Sequence, residues 1–170
     1  GAGAGFAGDG MLAERALFKQ PKALVVDGTD VYILDQQNFR IRKIAESGAG
    51  TVSTIAGTGV QGFSGDGGAA LAAQFGFEAG SNPEPSGGLA VAGRTLYVAD
   101  TLNNRIRAID LDTNVVDTIA GTGAEGWAGD DGPALAAELA HPRDLEIGPE
   151  GDLYFADTDN STVRAIDLTT

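Results

Sequence analysis

The chain repeats itself, and that repeat limits the folds open to it. GAGAGFAGDG opens at Gly1, GTGVQGFSGDGG at Gly57 and GTGAEGWAGDDG at Gly121. Their common core is glycine, aromatic, alanine or serine, glycine, aspartate. The aromatics are Phe6, Phe63 and Trp127, and the acids are Asp9, Asp66 and Asp130. A glycine loop that cradles phosphate needs lysine and a hydroxyl residue after its last glycine, to meet the phosphate charge. These three copies place an acid there instead, so they read as punctuation between structural units.

Other features recur in the same order. Each glycine stretch leads into a short alanine and leucine segment: MLAERALF, AALAAQF and PALAAEL. These predict helical turns near 11–18, 69–75 and 133–139. Asp9, Asp66 and Asp130 are placed to cap them, and Pro133 suits a first helical position. Cap and loop tie is the plain reading of these acids, against metal ligation. Next come ALVVDGTDVYILD, LAVAGRTLYVAD and LEIGPEGDLYFAD, each a strand, a tight turn and a strand. The second strands end at Asp35, Asp100 and Asp157. DQQNFRIRKI, DTLNNRIRAI and DTDNSTVRAI follow as a polar turn and a third strand, and TVSTIAG and VVDTIAG supply a fourth.

Four antiparallel strands per unit, at a spacing of roughly 60 residues, is the pattern of a β-propeller blade with an elongated connector. The predicted blades are 22–57, 88–121 and a three-stranded 143–168. FGFEAGSNPEPSGG reads as an irregular surface loop. The 26 glycines among 170 residues, about twice the usual share, fit an all-β chain of short strands and many turns.

The net charge of −13 argues against nucleic acid and anionic membrane as partners, since both need a basic surface. Cysteine is absent, which excludes disulfides and thiolate metal sites. The sequence starts at Gly1 instead of Met, from which a processed or excised piece is expected.

The chain resembles the NHL-repeat family of β-propellers, through LYVADTLNNRIRAID and VDTIAGTGAEGWAGDDGPALAAEL. The family pattern is an apolar strand, Asp, a small polar turn, Asn, Arg, Ile or Val, Arg. Asp35, Asn38, Arg40, Ile41 and Arg42 match it, as do Asp100, Asn103, Arg105, Ile106 and Arg107. In the third repeat Asp157, Asn160, Val163 and Arg164 match, but Thr162 replaces the first arginine. The long glycine form looks like the NHL repeats of large bacterial proteins. The resemblance favours an extracellular or periplasmic location.

The repeated Asp and Arg residues predict one ion pair or turn tie per blade, Asp35 with Arg40 and Asp100 with Arg105. The functional alternative is a ligand face built from these turns. Calcium would then be the cation, with Asp100, Asp157 and Asp159 as candidate ligands, although the spacing is not that of an EF-hand loop. The family's lyase relatives use a histidine cluster around zinc. This chain has only His141, which reads as structural or surface. No cofactor is expected.

NHL propellers usually have six blades, so three blades imply half a ring with two apolar faces exposed. Two copies could close it, blade 1 of one packing on blade 3 of the other. Two functions follow as expectations. One is a non-catalytic, self-associating scaffold that binds a protein, peptide or glycan. The other is a lyase- or lactonase-type enzyme with a carboxylate-bound metal in the central channel.

Overall fold

The computed structural model describes residues 3–45, 50–80 and 85–169. Three antiparallel sheets follow one another along the chain. Blade 1 holds β3 (Pro21–Asp27), β4 (Asp30–Asp35), β5 (Arg40–Ala45) and β6 (Thr51–Ala56), hydrogen-bonded in chain order. β1 (Gly3–Ala4) and β2 (Leu17–Phe18) form a short parallel pair before it. Blade 2 holds β8 (Leu89–Ala92), β9 (Thr95–Asp100), β10 (Arg105–Asp110) and β11 (Val115–Ala120), again in chain order. β7 (Gly68–Ala69), from the connector before it, adds a fifth strand on the β11 edge. Blade 3 holds β12 (Pro142–Ile147), β13 (Leu153–Asp157) and β14 (Thr162–Ile166).

The strands alternate as a two-sided sheet requires. In β4, Tyr32 and Leu34 point one way and Val31 and Ile33 the other, so two faces are apolar. The core therefore lies between blades. Leu34, Ile41, Phe75, Phe77, Leu96, Val98 and Ile109 fill the seam of blades 1 and 2. Tyr97, Ile106, Leu139, Leu145, Leu153 and Phe155 fill that of blades 2 and 3. The innermost strands meet closely at Gly88. A Cβ there would lie 2.6 Å from the Cα of Asp144, so only glycine lets these two backbones approach.

Three expectations need correction. The helical turns shrink to single 3-10 turns at Ala13–Arg15, Ala70–Ala72 and Ala134–Ala136. Their N-caps are Leu12, Ala69 and Pro133, with no side-chain cap bond, so Asp9, Asp66 and Asp130 do not cap them. The second connector is not wholly a surface loop. Phe75 and Phe77 are fully buried with rings stacked 5.9 Å apart, because the seam between two sheets must be filled where the chain crosses it. The part of that loop at 81–84 lies outside the described residues, as does the start of the N-terminal GAGAG.

Candidate functional site

Each blade carries the same polar device between its second and third strands. β4, β9 and β13 end at Asp35, Asp100 and Asp157, and a 3-10 turn follows: Gln36–Asn38, Thr101–Asn103 or Thr158–Asn160. Each turn closes on a left-handed residue, Phe39, Asn104 or Ser161, at φ of 49°, 51° and 55°. That conformation is uncommon outside glycine, so the side-chain bonds around it must hold the turn in place.

The bonds start at the buried aspartate. The Asp100 carboxylate accepts from Gly76 N–H at 2.6 Å, from Asn103 Nδ2 at 2.8 Å and from Arg107 Nη1 at 3.2 Å. Arg107 Nη2 then reaches Asp66 of the preceding connector at 2.7 Å. The other oxygen of Asp66 accepts from Thr118 Oγ1 on the fourth strand at 2.8 Å. Asn103 also donates to Gly62 O at 2.8 Å. One aspartate thus ties its own turn, the third strand, the fourth strand and the connector together.

Blade 1 repeats this residue for residue. Asp35 accepts from Lys19 N–H at 2.7 Å, Asn38 Nδ2 at 2.8 Å and Arg42 Nη1 at 3.3 Å. Arg42 Nη2 meets Asp9 at 2.7 Å, which takes the hydroxyl of Thr54 at 2.8 Å. In blade 3, Asp157 accepts from Ala140 N–H at 2.7 Å, Asn160 Nδ2 at 2.8 Å and Arg164 Nη1 at 3.2 Å, and Arg164 meets Asp130 at 2.8 Å. The side chains of Asp35, Arg42, Asp100 and Arg107 are fully buried. Burial pushes the Asp100 carboxyl up to about 6, against the opposing pull of Asn103, Gly76 N–H and Arg107, and it raises Asp35 in the same way.

The expected ion pairs are therefore shifted by two residues. Arg42 and Arg107 are the aspartate partners, not Arg40 and Arg105. Arg40 and Arg105 instead lie over the rings of Phe6 and Phe63, each 3.9 Å from the centroid. They donate to carbonyls on either side of the blade edge: Arg40 to Asn38 O and Thr58 O, Arg105 to Asn103 O and Thr122 O. This accounts for the second glycine of GTG. A Cβ on Gly59 or Gly123 would fall 2.0 Å from the Nη1 of Arg40 or Arg105. In the third repeat Thr162 stands where this arginine would be, and Trp127 is 69% exposed.

The calcium reading meets a different geometry. The oxygens of Asp100 and Asp157 face amide N–H groups and guanidinium, so the cation beside them is arginine. Asp159 lies 2.6 Å from Nδ1 of His141. Among the described residues, no group of three or more acids and histidines is placed to hold a metal ion. The backbone N–H of His141 donates to Asn104 Oδ1 at 2.9 Å, which ties blade 3 to the turn of blade 2. Thr54 and Thr118 of the two TIA strands complete the lock, and the recurrence of TIA is the signal that marks them in the sequence.

No family model matches the chain. It is 30% identical over 183 residues to NHL repeat-containing protein 2 of Bos taurus, covering 94% of this chain and 24% of that protein. It spans about a quarter or less of the length of the curated relatives it matches. Among solved structures it is similar to an auxiliary nutrient binding protein of Bacteroides thetaiotaomicron, with TM-score 0.63 and 17% identity over 85% of this chain and 36% of that one. It is also similar to a streptogramin B lyase, with TM-score 0.55 and 12% identity over 88% of this chain and 38% of that one. At these identities the structures speak for the fold, while the repeated Asp–Asn–Arg–connector lock and the bovine relative agree on its kind: the chain belongs to the NHL-repeat β-propeller family.

Proposed function

We propose that this chain is a non-catalytic propeller scaffold that closes a ring with a second copy of itself and binds a protein, peptide or glycan. The observation that carries the scaffold reading is where its repeated polar side chains go. The aspartates, asparagines and arginines of the three motifs are engaged with one another and with the connectors, so they act in the fold. The nutrient-binding neighbour is in keeping with a binding role. His141 is tied to Asn104 and Asp159 at a blade seam, which suits a structural part.

Ring closure is supported by the free face of blade 1. Leu24 and Val26 occupy the positions that Leu89 and Val91 hold in blade 2. Leu89 is 6% exposed beneath blade 1, whereas Leu24 is 67% exposed. This face has the character of one that a further blade covers. Blade 3 offers Tyr154, Ala156, Val163 and Ala165 on the opposite end. Six blades arranged about a two-fold axis would bury both.

Sedimentation equilibrium at micromolar concentration tests this. The expected mass is twice that of the chain, and L24K/V26K should return it to one chain mass with unchanged circular dichroism. A monomer of the native sequence would remove ring closure by a second copy. It would leave the binding reading to be tested by direct ligand screening.

A further inference from the structure

One position of the repeat changes character in the third blade. In the first two, the aromatic of the glycine motif carries an arginine of its own blade. Arg40 lies over Phe6 and Arg105 over Phe63, and their Nη1 atoms donate to Asn38 O and Asn103 O at 3.0 Å. Trp127 holds the same place in the third repeat, but Thr162 replaces the arginine. The turn before Thr162 keeps its shape. Ser161 is left-handed like Phe39 and Asn104, which puts Asn160 O where Asn38 O and Asn103 O accept their guanidinium. Trp127 is 69% exposed, against 43% for Phe6 and 41% for Phe63. Phe6 and Phe63 stay this open in four-stranded blades with the following connector in place, so exposure of the ring belongs to the motif itself.

The residues around the ring change with it. The residue two before the aromatic is Gln61 in the second repeat and Glu125 in the third. The residue eleven after it is Gln74 in the second and Glu138 in the third, while the first repeat has Ala4 and Leu17 at these places. Glu138 is fixed by its backbone N–H, which donates to Ala128 O at 2.9 Å. Its carboxylate lies over Gly126, where any Cβ would collide with Oε2, as Gln74 Oε1 lies over Gly62. Glu125 precedes Gly126 and its backbone is bridged to Leu139. Compared with the second repeat, this corner of the third loses one positive charge and gains two negative ones. Arg164 of the same blade is held by Asp157 and Asp130.

We propose that the Trp127 face is a docking site for an arginine side chain of a peptide ligand. This deepens the binding part of the reading above and rests on it, but it needs no ring closure. Arg40 and Arg105 show what fits: a guanidinium 3.9 Å from the ring centroid, with a carbonyl of the turn as acceptor. Tryptophan offers a cation the strongest of the aromatic faces. An arginine tethered by its own strand needs no further attraction. One arriving from solution gains encounter rate and orientation from Glu125 and Glu138. A guanidinium suits the site better than an ammonium, because it stacks on the ring and donates to the carbonyl in one plane.

Trp127 is the single tryptophan, so its fluorescence reports on the site directly. The test titrates the whole chain with acetyl-Gly-Arg-Gly-amide and with its lysine counterpart at equal ionic strength, and NMR of the labelled chain locates the response. A saturable change of emission in the millimolar range is expected, with shifts confined to 124–128, 138 and 160–162. The lysine peptide should bind about threefold more weakly or worse. Glu138→Gln, which copies the second repeat, should weaken the arginine peptide about threefold. Thr162→Arg places the chain's own guanidinium over the ring and should abolish the response with circular dichroism unchanged. Equal binding of the two peptides, undiminished binding by the Thr162→Arg chain, or no saturation would overturn the arginine site. Shifts elsewhere would overturn it too, while leaving the broader binding reading in place.

Discussion

Replacing Arg107 by methionine should be among the most damaging single changes in this chain. The guanidinium is fully buried between Asp100 and Asp66, at 3.2 Å and 2.7 Å, with the Phe63 and Phe75 rings 5.0 Å and 5.3 Å away. Methionine fills much of the space but leaves the Asp100 carboxylate buried, with only Asn103 and the Gly76 N–H to answer it. Breaking one side of a buried pair costs about 3–5 kcal/mol. A domain's whole stability is about 5–15 kcal/mol, so R107M removes about a fifth or more of it. With a urea m-value of about 2 kcal/mol/M, the midpoint falls by about 2 M. Asp100→Asn should cost about 2 kcal/mol, because Arg107 keeps Asp66 and the amide keeps an acceptor for Gly76. The double variant should lose only about 3 kcal/mol, since no orphaned buried charge remains. The resulting coupling of about 3 kcal/mol is at the top of the range for interacting neighbours. Urea unfolding followed by both circular dichroism and Trp127 fluorescence measures it, and coincidence of the two probes checks that the blades unfold together. A loss below about 1 kcal/mol for R107M, or a coupling below about 0.5 kcal/mol, would refute the lock as the element that joins connector to blade.

Two further outcomes follow from the same geometry. Thr162→Arg should restore the stack that Arg40 and Arg105 make in the other repeats, covering Trp127, shifting its emission to the blue and adding about 0.5–1 kcal/mol; unchanged emission would count against the stack. The raised Asp100 pKa, about 6 against its usual 3.8, means the folded state holds a proton that the unfolded state releases. Its stabilising contribution is complete below about 3.8 and is lost as pH rises through 6, so Tm should be higher at pH 5 than at pH 7.5, and D100N should flatten that slope.

Much of the fold was legible because its causes are local. Alternating apolar runs, the glycines in the hairpin turns, and the recurrence of Asp-x-x-Asn followed by a basic strand are properties of neighbouring residues. They point to antiparallel blades without knowledge of how the blades meet. The repeat length and the order of its parts carried the family resemblance for the same reason.

The pairing within the lock was not legible. Arg105 and Arg107 are two residues apart on one strand, so both point to the same face. Arg105 even stands directly opposite Asp100 in the β9–β10 register. Which of them takes the aspartate depends on Asp66, which arrives from the connector of the preceding repeat. It depends also on the Phe63 ring that connector lays over Arg105. By itself, then, the sequence determined the strands, the turns and the residues of the lock, because those follow from short-range pattern and backbone chemistry. Only the tertiary structure decided which arginine is buried and what the connector acids do. Those outcomes depend on charges and hydrogen-bond edges brought together from repeats about 40 residues or more apart, whose placement exists only once the blades have packed.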